Sequence, residues 1–537
     1  MIKIAIAQIN CTVGDLRGNR AKITDYARRA QLLGASLVIT PELALCGYPP
    51  EDLLMREDFH LACAAELVKL SLETPDVTII VGHPHKHNGE IYNAASVLVG
   101  GEIALTYHKH ALPNHSVFDE LRYFSAGDQP LVFEHLGIKF GILICADMWE
   151  EMPAQQAKKS GAEFLLALNA SPYHIDKFNT RVDVISHRVK ETGLAIVYAN
   201  MVGGQDELVF DGASFVLDTT GNITHQLPAF EEMLSIVEIS QYRPLPVELM
   251  PVLTVEASVY SALKLGLSDY INKNNFPSVV LGLSGGIDSA LTLAIAVDAL
   301  GAERVKVVMM PSAFTADISV YDAKKMAQIV GVEYSEMPIK SLFELFRETL
   351  ATEFGELPFD TAEENLQARI RGMLLMALSN KFGSIVLTTG NKSEMAVGYS
   401  TLYGDMAGGF SLLKDVPKTL VYKLAHYRNT ISNIIPERII TRPPSAELHA
   451  GQTDQDSLPD YDTLDGIMQA YVEEDLSRVD IIRQGYSESD VNRVTQLIDR
   501  NEYKRRQAPV GVRITQRGFG KDRRYPITCK LDFSSNI

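Results

Sequence analysis

A chain of 537 residues exceeds what one hydrophobic core usually serves, which predicts two domains of roughly 250 residues each. Its 46% hydrophobic and 22% charged residues exclude a disordered or fibrous protein, and no apolar run reaches the roughly 20 residues of a membrane span. With 50 Lys and Arg against 67 Asp and Glu, the formal net charge of -17 opposes nucleic acid and anionic membranes, so a bound nucleotide has to be held by local features.

The N-terminus runs straight into a strand pattern, with no basic leader and no cleavage site. Cys11, Cys46, Cys63, Cys145 and Cys529 show no Cys-x-x-Cys pairing, so a reducing, cytoplasmic setting is expected. Residues 2–9 read as a strand. Ile23, Tyr26, Ala27, Ala30 and Leu33 then recur at helical spacing, and Gly34 closes that helix. Residues 77–81, 140–145, 163–168 and 194–202 read as further strands, and 214–227 as a hairpin. Pro244, Pro246 and Pro251 interrupt both periodicities, which places a first domain at 1–243, a linker at 244–255 and a second domain at 256–537. In that second domain a helix at 255–273 precedes a strand at 279–283, a helix at 287–300 and a strand at 305–310. Helices around 319–330 and 362–382 and a strand at 385–387 follow. Strands separated by helices predict a doubly wound parallel sheet, and the polar, acidic stretch 450–459 reads as a mobile loop.

The densest signal is Gly282-Leu283-Ser284-Gly285-Gly286-Ile287-Asp288-Ser289, where a strand hands over to a helix. Glycines let backbone N–H groups close on phosphate oxygens, the helix N-terminus adds partial positive charge, and Ser284 and Ser289 add donors. No Gly-x-x-x-x-Gly-Lys-Ser/Thr occurs, so this is not the loop that grips a transferable γ-phosphate. Asp288 repels phosphate and makes sense as a Mg2+ ligand.

Ser-Gly-Gly-x-Asp-Ser resembles the signature of the ATP pyrophosphatase (PP-loop) family, whose members split ATP between the α- and β-phosphates, adenylate a substrate oxygen and let a nucleophile displace AMP. Residues 364–371, 389–394 and 398–405, with Pro444-Ser445-Ala446-Glu447-Leu448 and 458–462, are similar to NAD synthetase segments across nearly all of the second half. The resemblance implies that ATP is bound by 282–289 and Thr389, that Glu394 joins Asp288 on Mg2+, and that Arg371, Glu394, Asp405, Lys414 and Ser445 contact the dinucleotide. Each charged residue alone would read as a solvated face.

In the first half, Glu42 in Thr-Pro-Glu-Leu, Lys109 in Tyr-His-Lys-His and Cys145 in Ile-Leu-Ile-Cys-Ala-Asp stand at predicted strand ends or turns. A thiol of ordinary pKa, about 8.5, needs a carboxylate base and a nearby cation to act as a nucleophile at neutral pH. The three resemble the Glu-Lys-Cys triad of the nitrilase family of carbon-nitrogen hydrolases, a fold with an αββα sandwich. That resemblance makes Glu42 the base, Lys109 the oxyanion stabiliser and Glu120 the residue that orients the lysine. His115, Ser171 and Lys177 follow as supporting or glutamine-binding positions. Two positions depart from the family pattern: Ala146 stands where a glutamate is expected and His115 where a tyrosine is expected. A weakened hold on the amino-acid end of glutamine follows, unless Asp147, Glu150 or Glu207 supplies the acceptor.

Taken together the halves resemble the glutamine-dependent NAD synthetases, ligases that take ammonia from glutamine and amidate nicotinic acid adenine dinucleotide at the expense of ATP, usually as homo-oligomers. Ile2 excludes an asparagine synthetase, which needs a cysteine there, and the contexts of Glu42, Lys109 and Cys145 do not resemble the Cys-His-Glu glutaminase of GMP synthetase. A second reading stays open, in which the first half is a scaffold and the chain uses ammonia alone.

Overall fold

Ile2, Ile4 and Ile6 face one hydrophobic cluster while Ala5, Ala7 and Ile9 face another, so the first strand is buried on both sides, as a central strand must be. The computed structural model describes residues 1–449, 455 and 458–529, so most of the stretch read as a mobile loop at 450–459 lies outside the described residues. Two units follow one another, Met1–Leu253 and Thr254–Ile537.

The first unit runs β1 (Ile2–Gln8), α1 (Leu16–Leu32), β2 (Leu37–Ile39), α2 (Glu57–Glu73), β3 (Thr78–His87), β4 (Glu90–Val99), β5 (Glu102–His108), β6 (Val132–His135), β7 (Ile138–Ile144) and α3 (Glu151–Lys159). Then come β8 (Phe164–Asn169), α4 (Lys177–Thr192), β9 (Ala195–Asn200), β10 (Val202–Gln205), β11 (Leu208–Asp211), β12 (Phe215–Leu217), β13 (Ile223–Gln226), β14 (Met233–Ser240) and β15 (Arg243–Pro244). One sheet has the order β15-β14-β1-β2-β3-β4-β5 and another β13-β12-β9-β8-β7-β6. Ile4, Ile39 and Ile80 of the first sheet meet Phe140, Leu166 and Val197 of the second in one cluster. The outer faces are covered by α1 and α2 through Ile23, Ala27, Cys63 and Leu70, and by α3 and α4 through Ala154, Ala157, Ile185 and Val189. The result is a four-layer αββα sandwich. Asp15 starts α1 by accepting the Gly18 N–H at 2.9 Å. The helix ends at Leu32, one turn position early, so Leu33 points to solvent rather than to the core. The run read as a single strand at 194–202 is split between β9 and β10, because the chain turns at Met201 into the β10-β11 ribbon.

The second unit opens with α5 (Val255–Lys273), capped by Thr254, whose side chain accepts the Ala257 N–H. It continues β16 (Val279–Gly282), α6 (Ile287–Leu300), β17 (Val305–Met309), α7 (Asp317–Val330), β18 (Glu333–Glu336), α8 (Lys340–Phe354), α9 (Thr361–Phe382), β19 (Ile385–Thr388), α10 (Lys392–Val397), β20 (Phe410–Ser411) and α11 (Lys418–Ile431). Every pairing in its sheet is parallel, in the order β18-β17-β16-β19-β20. Phe343 of α8 and Ile370 and Leu375 of α9 pack on Val280, Val308 and Val386, while the pleat sends Val279 and Leu281 to the opposite face. Both units are α/β. In such an open sheet the ligand crevice lies where the strand order reverses, here between β16 and its neighbours. Among the described residues no helix is long and apolar enough to cross a membrane.

Candidate active sites

In the first unit the chain delivers Glu42 just after β2, Lys109 just after β5 and Cys145 just after β7, and the three meet in the interior. Lys109 Nζ donates to Glu42 Oε1 at 2.7 Å and to Glu120 at 2.8 and 2.9 Å, with Glu42 and Lys109 almost wholly withdrawn from water. Asn93 Nδ2 donates to Glu42 Oε1 at 2.7 Å, the Ala170 N–H to Glu42 Oε2 at 3.0 Å and the Tyr48 hydroxyl to Glu120 Oε1 at 2.9 Å. Cys145 is 6% exposed, adopts φ 43, and its thiol lies beside Glu42. A non-glycine residue in the left-handed region marks a sharp turn held by its surroundings, here the turn that aims the sulfur.

Burial pushes the Cys145 thiol well above its ordinary pKa; Glu42 adds to the rise and Lys109 works against it. For Lys109, burial works to discharge the ammonium, but Glu120 and Glu42 outweigh it and the pKa ends above that of an ordinary lysine. Burial likewise raises the Glu120 carboxyl, with Lys109 opposing. The resting centre thus holds a protonated lysine and a protonated thiol side by side with Glu42.

Asp147 does not offer itself to a ligand. Its Oδ1 accepts the N–H groups of His110 at 3.0 Å and Ala111 at 2.8 Å, and its Oδ2 the Ile144 N–H and the Tyr107 hydroxyl, each at 2.9 Å. One buried carboxylate therefore ties the segment after Lys109 to the residue before Cys145. Ser171 is buried next to Ala170, its N–H held by Asn200 Oδ1 at 2.9 Å. Lys177 stands at the start of α4 with its Nζ 4.2 Å from the ring centroid of Trp149, four residues after Cys145. His115 is exposed, its ring edge-on to Phe118, and lies outside the buried group.

In the second unit a cavity of about 430 Å³ opens at the carboxyl ends of β16, β17 and β19. Its wall includes every residue from Gly282 to Ser289, together with Arg371, Thr389, Glu394, Asp405 and Ser445. Gly285 has φ +82, and a Cβ there would stand 2.4 Å from the Ser319 carbonyl oxygen, so only glycine fits the turn. Asp288, on the first turn of α6, takes Asn391 Nδ2 at 2.9 Å and Lys418 Nζ at 2.5 Å, and the same Lys418 Nζ lies 3.5 Å from Glu394 Oε1. Two carboxylates already converge on one cation. Among the described residues no cluster of three or more acidic, His or Cys side chains could hold a metal by itself. That donor set fits Mg2+, which is typically held by one or two carboxylates with water and substrate phosphates completing the shell.

Lys414 is absent from the cavity wall; its Nζ donates to the Pro509 carbonyl at 2.7 Å, whereas Lys418, four residues on, lines the site. Arg371 donates from Nε to the Met310 carbonyl at 3.0 Å, and burial draws its pKa down to about 10, which leaves it charged at neutral pH. Lys504 also lines the cavity, donating to the carbonyls of Gly398 and Ser400 at 2.7 and 2.8 Å. Arg442 joins Ser319 Oγ at 2.6 Å and Glu447 Oε1 at 2.7 Å, and Ser445 Oγ accepts the Glu447 N–H at 3.2 Å. Motif reading missed Lys418, Lys504 and Arg442, because each is brought to the cavity by tertiary contacts and none lies within the glycine-rich segment.

Comparison with known proteins bears on both units. Residues 3–243 match the carbon-nitrogen hydrolase family model, and residues 259–508 match that of NAD synthase. The chain is 50% identical over 530 residues to the glutamine-dependent NAD(+) synthetase of Acinetobacter baylyi, covering 98% of each, and 44% identical over 573 residues to that of Aquifex aeolicus, covering 99% of this chain and all of the other. A solved structure of the glutamine-dependent NAD+ synthetase from Acinetobacter baumannii, in complex with adenosine diphosphate, superposes with a TM-score of 0.81 at 48% identity over 98% of both chains.

Proposed function

Because this chain belongs to the glutamine-dependent NAD(+) synthetases, ligases that form a carbon-nitrogen bond, we propose that its first unit releases ammonia from glutamine through Glu42, Lys109 and Cys145, and that its second unit uses the ammonia on a dinucleotide adenylated at the expense of ATP. The observation that carries the reading is the buried meeting of Glu42, Lys109 and the Cys145 thiol, with Glu120 holding the lysine.

Glu42 takes the thiol proton as the sulfur bonds to the side-chain amide carbon of glutamine. The negative charge that gathers on the amide oxygen is met by the Lys109 ammonium. The carbon-nitrogen bond then breaks as Glu42 returns the proton to the departing nitrogen, which leaves as ammonia. Water, losing a proton to Glu42, attacks the thioester, and glutamate departs as the sulfur regains its proton. Glu120 and Tyr48 position the lysine and do no chemistry of their own.

In the second unit the carboxylate of nicotinic acid adenine dinucleotide bonds to the α-phosphorus of ATP and pyrophosphate leaves. Ammonia then attacks the resulting mixed anhydride, AMP leaves, and the nitrogen gives up a proton to form the amide. The turn at 283–286 and the N-terminus of α6 bind the phosphates, with Ser284, Ser289 and Thr389 as further donors. Asp288 and Glu394 would hold Mg2+, which when bound neutralises charge on the departing pyrophosphate. Arg371, Asp405, Lys418 and Ser445 bind the dinucleotide and its phosphates. The reading includes a cytoplasmic enzyme that assembles with copies of itself.

Cys145→Ala tests the division of labour. It is expected to lose glutamine-dependent NAD synthesis and to keep the ammonium-dependent reaction at high pH, where more free amine is present. Retained glutamine activity would remove the nucleophile assignment.

A further inference from the structure

Arg181 is fully buried, is among the largest side chains so placed, and has no part in the chemistry above. It stands in α4 and pairs through one nitrogen, Nη2 donating to Asp211 Oδ1 at 2.5 Å. Its Nε and Nη1 are buried with no hydrogen-bond partner among the described residues. A guanidinium stripped of water with two of its three nitrogens unmatched is costly, and such a group calls for an explanation beyond packing.

Its pairing leads to the proposed base. Asp211 closes β11 and also receives Asn200 Nδ2 at 3.5 Å. Asn200 Oδ1 in turn accepts the Ser171 N–H at 2.9 Å, and the residue before it, Ala170, donates its N–H to Glu42 Oε2 at 3.0 Å. One hydrogen-bonded path thus runs from Arg181 to the proposed base.

We propose that Arg181 is a positioning residue of the glutaminase reaction, fixing the Glu42 carboxylate through Asp211, Asn200 and the Ala170–Ser171 backbone. This rests on Glu42 and Cys145 being base and nucleophile. An ion pair that merely holds α4 in place would support the fold and leave the ionisation of the centre where it is.

The test uses full-length Arg181→Met and Arg181→Lys, each assayed with glutamine and with ammonium as nitrogen donor, and a pH profile of kcat/KM for glutamine. Arg181→Met is expected to lower the glutamine-dependent kcat about tenfold or more, to change KM less, and to leave the ammonium-dependent rate alone. The acid limb of its profile is expected to move upward by about one pH unit, because the Glu42 carboxylate is held less well by the Ala170 N–H that favours its charged form. Arg181→Lys keeps a cation and a donor for Asp211 on a shorter side chain, so its kcat and acid limb are expected to lie between those of the parent and Arg181→Met. An unmoved acid limb in Arg181→Met overturns the proposal. If that variant does not fold, a parental kcat in Arg181→Lys overturns it instead. Failure of the underlying triad is a separate result, read from glutamine activity in Cys145→Ala.

Discussion

Asp147→Asn is the substitution on which the geometry of the first unit makes the sharpest demand. The carboxylate accepts four hydrogen bonds, from the N–H groups of His110, Ala111 and Ile144 and from the Tyr107 hydroxyl. An asparagine keeps one acceptor oxygen and turns the other position into a donor. If the new NH2 faces Ile144 and Tyr107, the tyrosine hydroxyl can rotate to accept, but the Ile144 N–H is left unmatched; facing His110 and Ala111, it leaves two N–H groups unmatched. The first arrangement costs less, about 1–3 kcal/mol for one buried donor without a partner. In a unit of this size that lowers the melting midpoint by about 2–6 °C. The activity loss is expected to be larger, because the orphaned N–H immediately precedes Cys145 and the other end of the bridge follows Lys109. A displacement of the order of 1 Å between nucleophile and cation costs about a hundredfold in rate. Glutamine-dependent and ammonium-dependent NAD synthesis, measured beside thermal unfolding, separate the effects, with only the first reaction expected to fall. A glutamine-dependent kcat within twofold of the parent would show that Asp147 does not set the distance between Lys109 and Cys145.

Lys418→Met is expected to impair synthesis with either nitrogen donor, because Lys418 lies between Asp288 and Glu394, whereas Lys414→Met should change stability more than dinucleotide KM; equal KM effects from both would refute the assignment to Lys418. Ala146→Glu should lower KM for glutamine about ten- to a hundredfold and leave the ammonium reaction alone, because a missing buried partner costs about 1–3 kcal/mol; an unchanged KM would mean that another group already holds the α-ammonium. His83 is buried neutral, with Nε2 2.7 Å from Ser96 Oγ, and burial lowers its pKa to about 4. Its stabilising effect is therefore complete above the unfolded value of about 6.5 and declines as pH falls toward 4, by up to about 3 kcal/mol; denaturant titrations from pH 7 to 4.5 should show that slope and its reduction in His83→Gln, and equal slopes would refute it.

The order of strands and helices in the second unit is legible in the sequence because each strand is a short apolar run set between amphipathic helices. The helix boundaries 255–273 and 287–300 follow from Thr254 and from the glycine turn that precedes Ile287. The first unit is less legible. Strands β4 and β5 mix exposed and buried positions, with Glu102, Ile103, Ala104 and Leu105 all facing solvent, so no period-2 pattern marks them. The register that makes the edge, pairing Ala94 with His108, comes from tertiary pairing alone. That pairing brings Lys109 to Glu42.

Residues proposed to carry chemistry can be read locally when their type is rare in its setting, as for a cysteine ending a buried strand or an aspartate in a glycine-rich strand-to-helix turn. Residues that hold the chemistry in place cannot, because their role exists only when distant segments close on one another. Asp147 shows the difference: by sequence it is a carboxylate near the nucleophile and a candidate acceptor for an ammonium group, and its four hydrogen bonds leave no lone pair well placed for one. Lys414 and Lys418 show it again. Both stand in Lys-Asp-Val-Pro-Lys, and what separates them is that the turn at 411–416 hands the first to Pro509, far along the chain, while the start of α11 sets the second between two carboxylates. The absence of a glutamate at position 146 therefore cannot be made good by its neighbour Asp147. Any replacement has to come from a segment brought in by folding, such as Glu207 in the turn between β10 and β11.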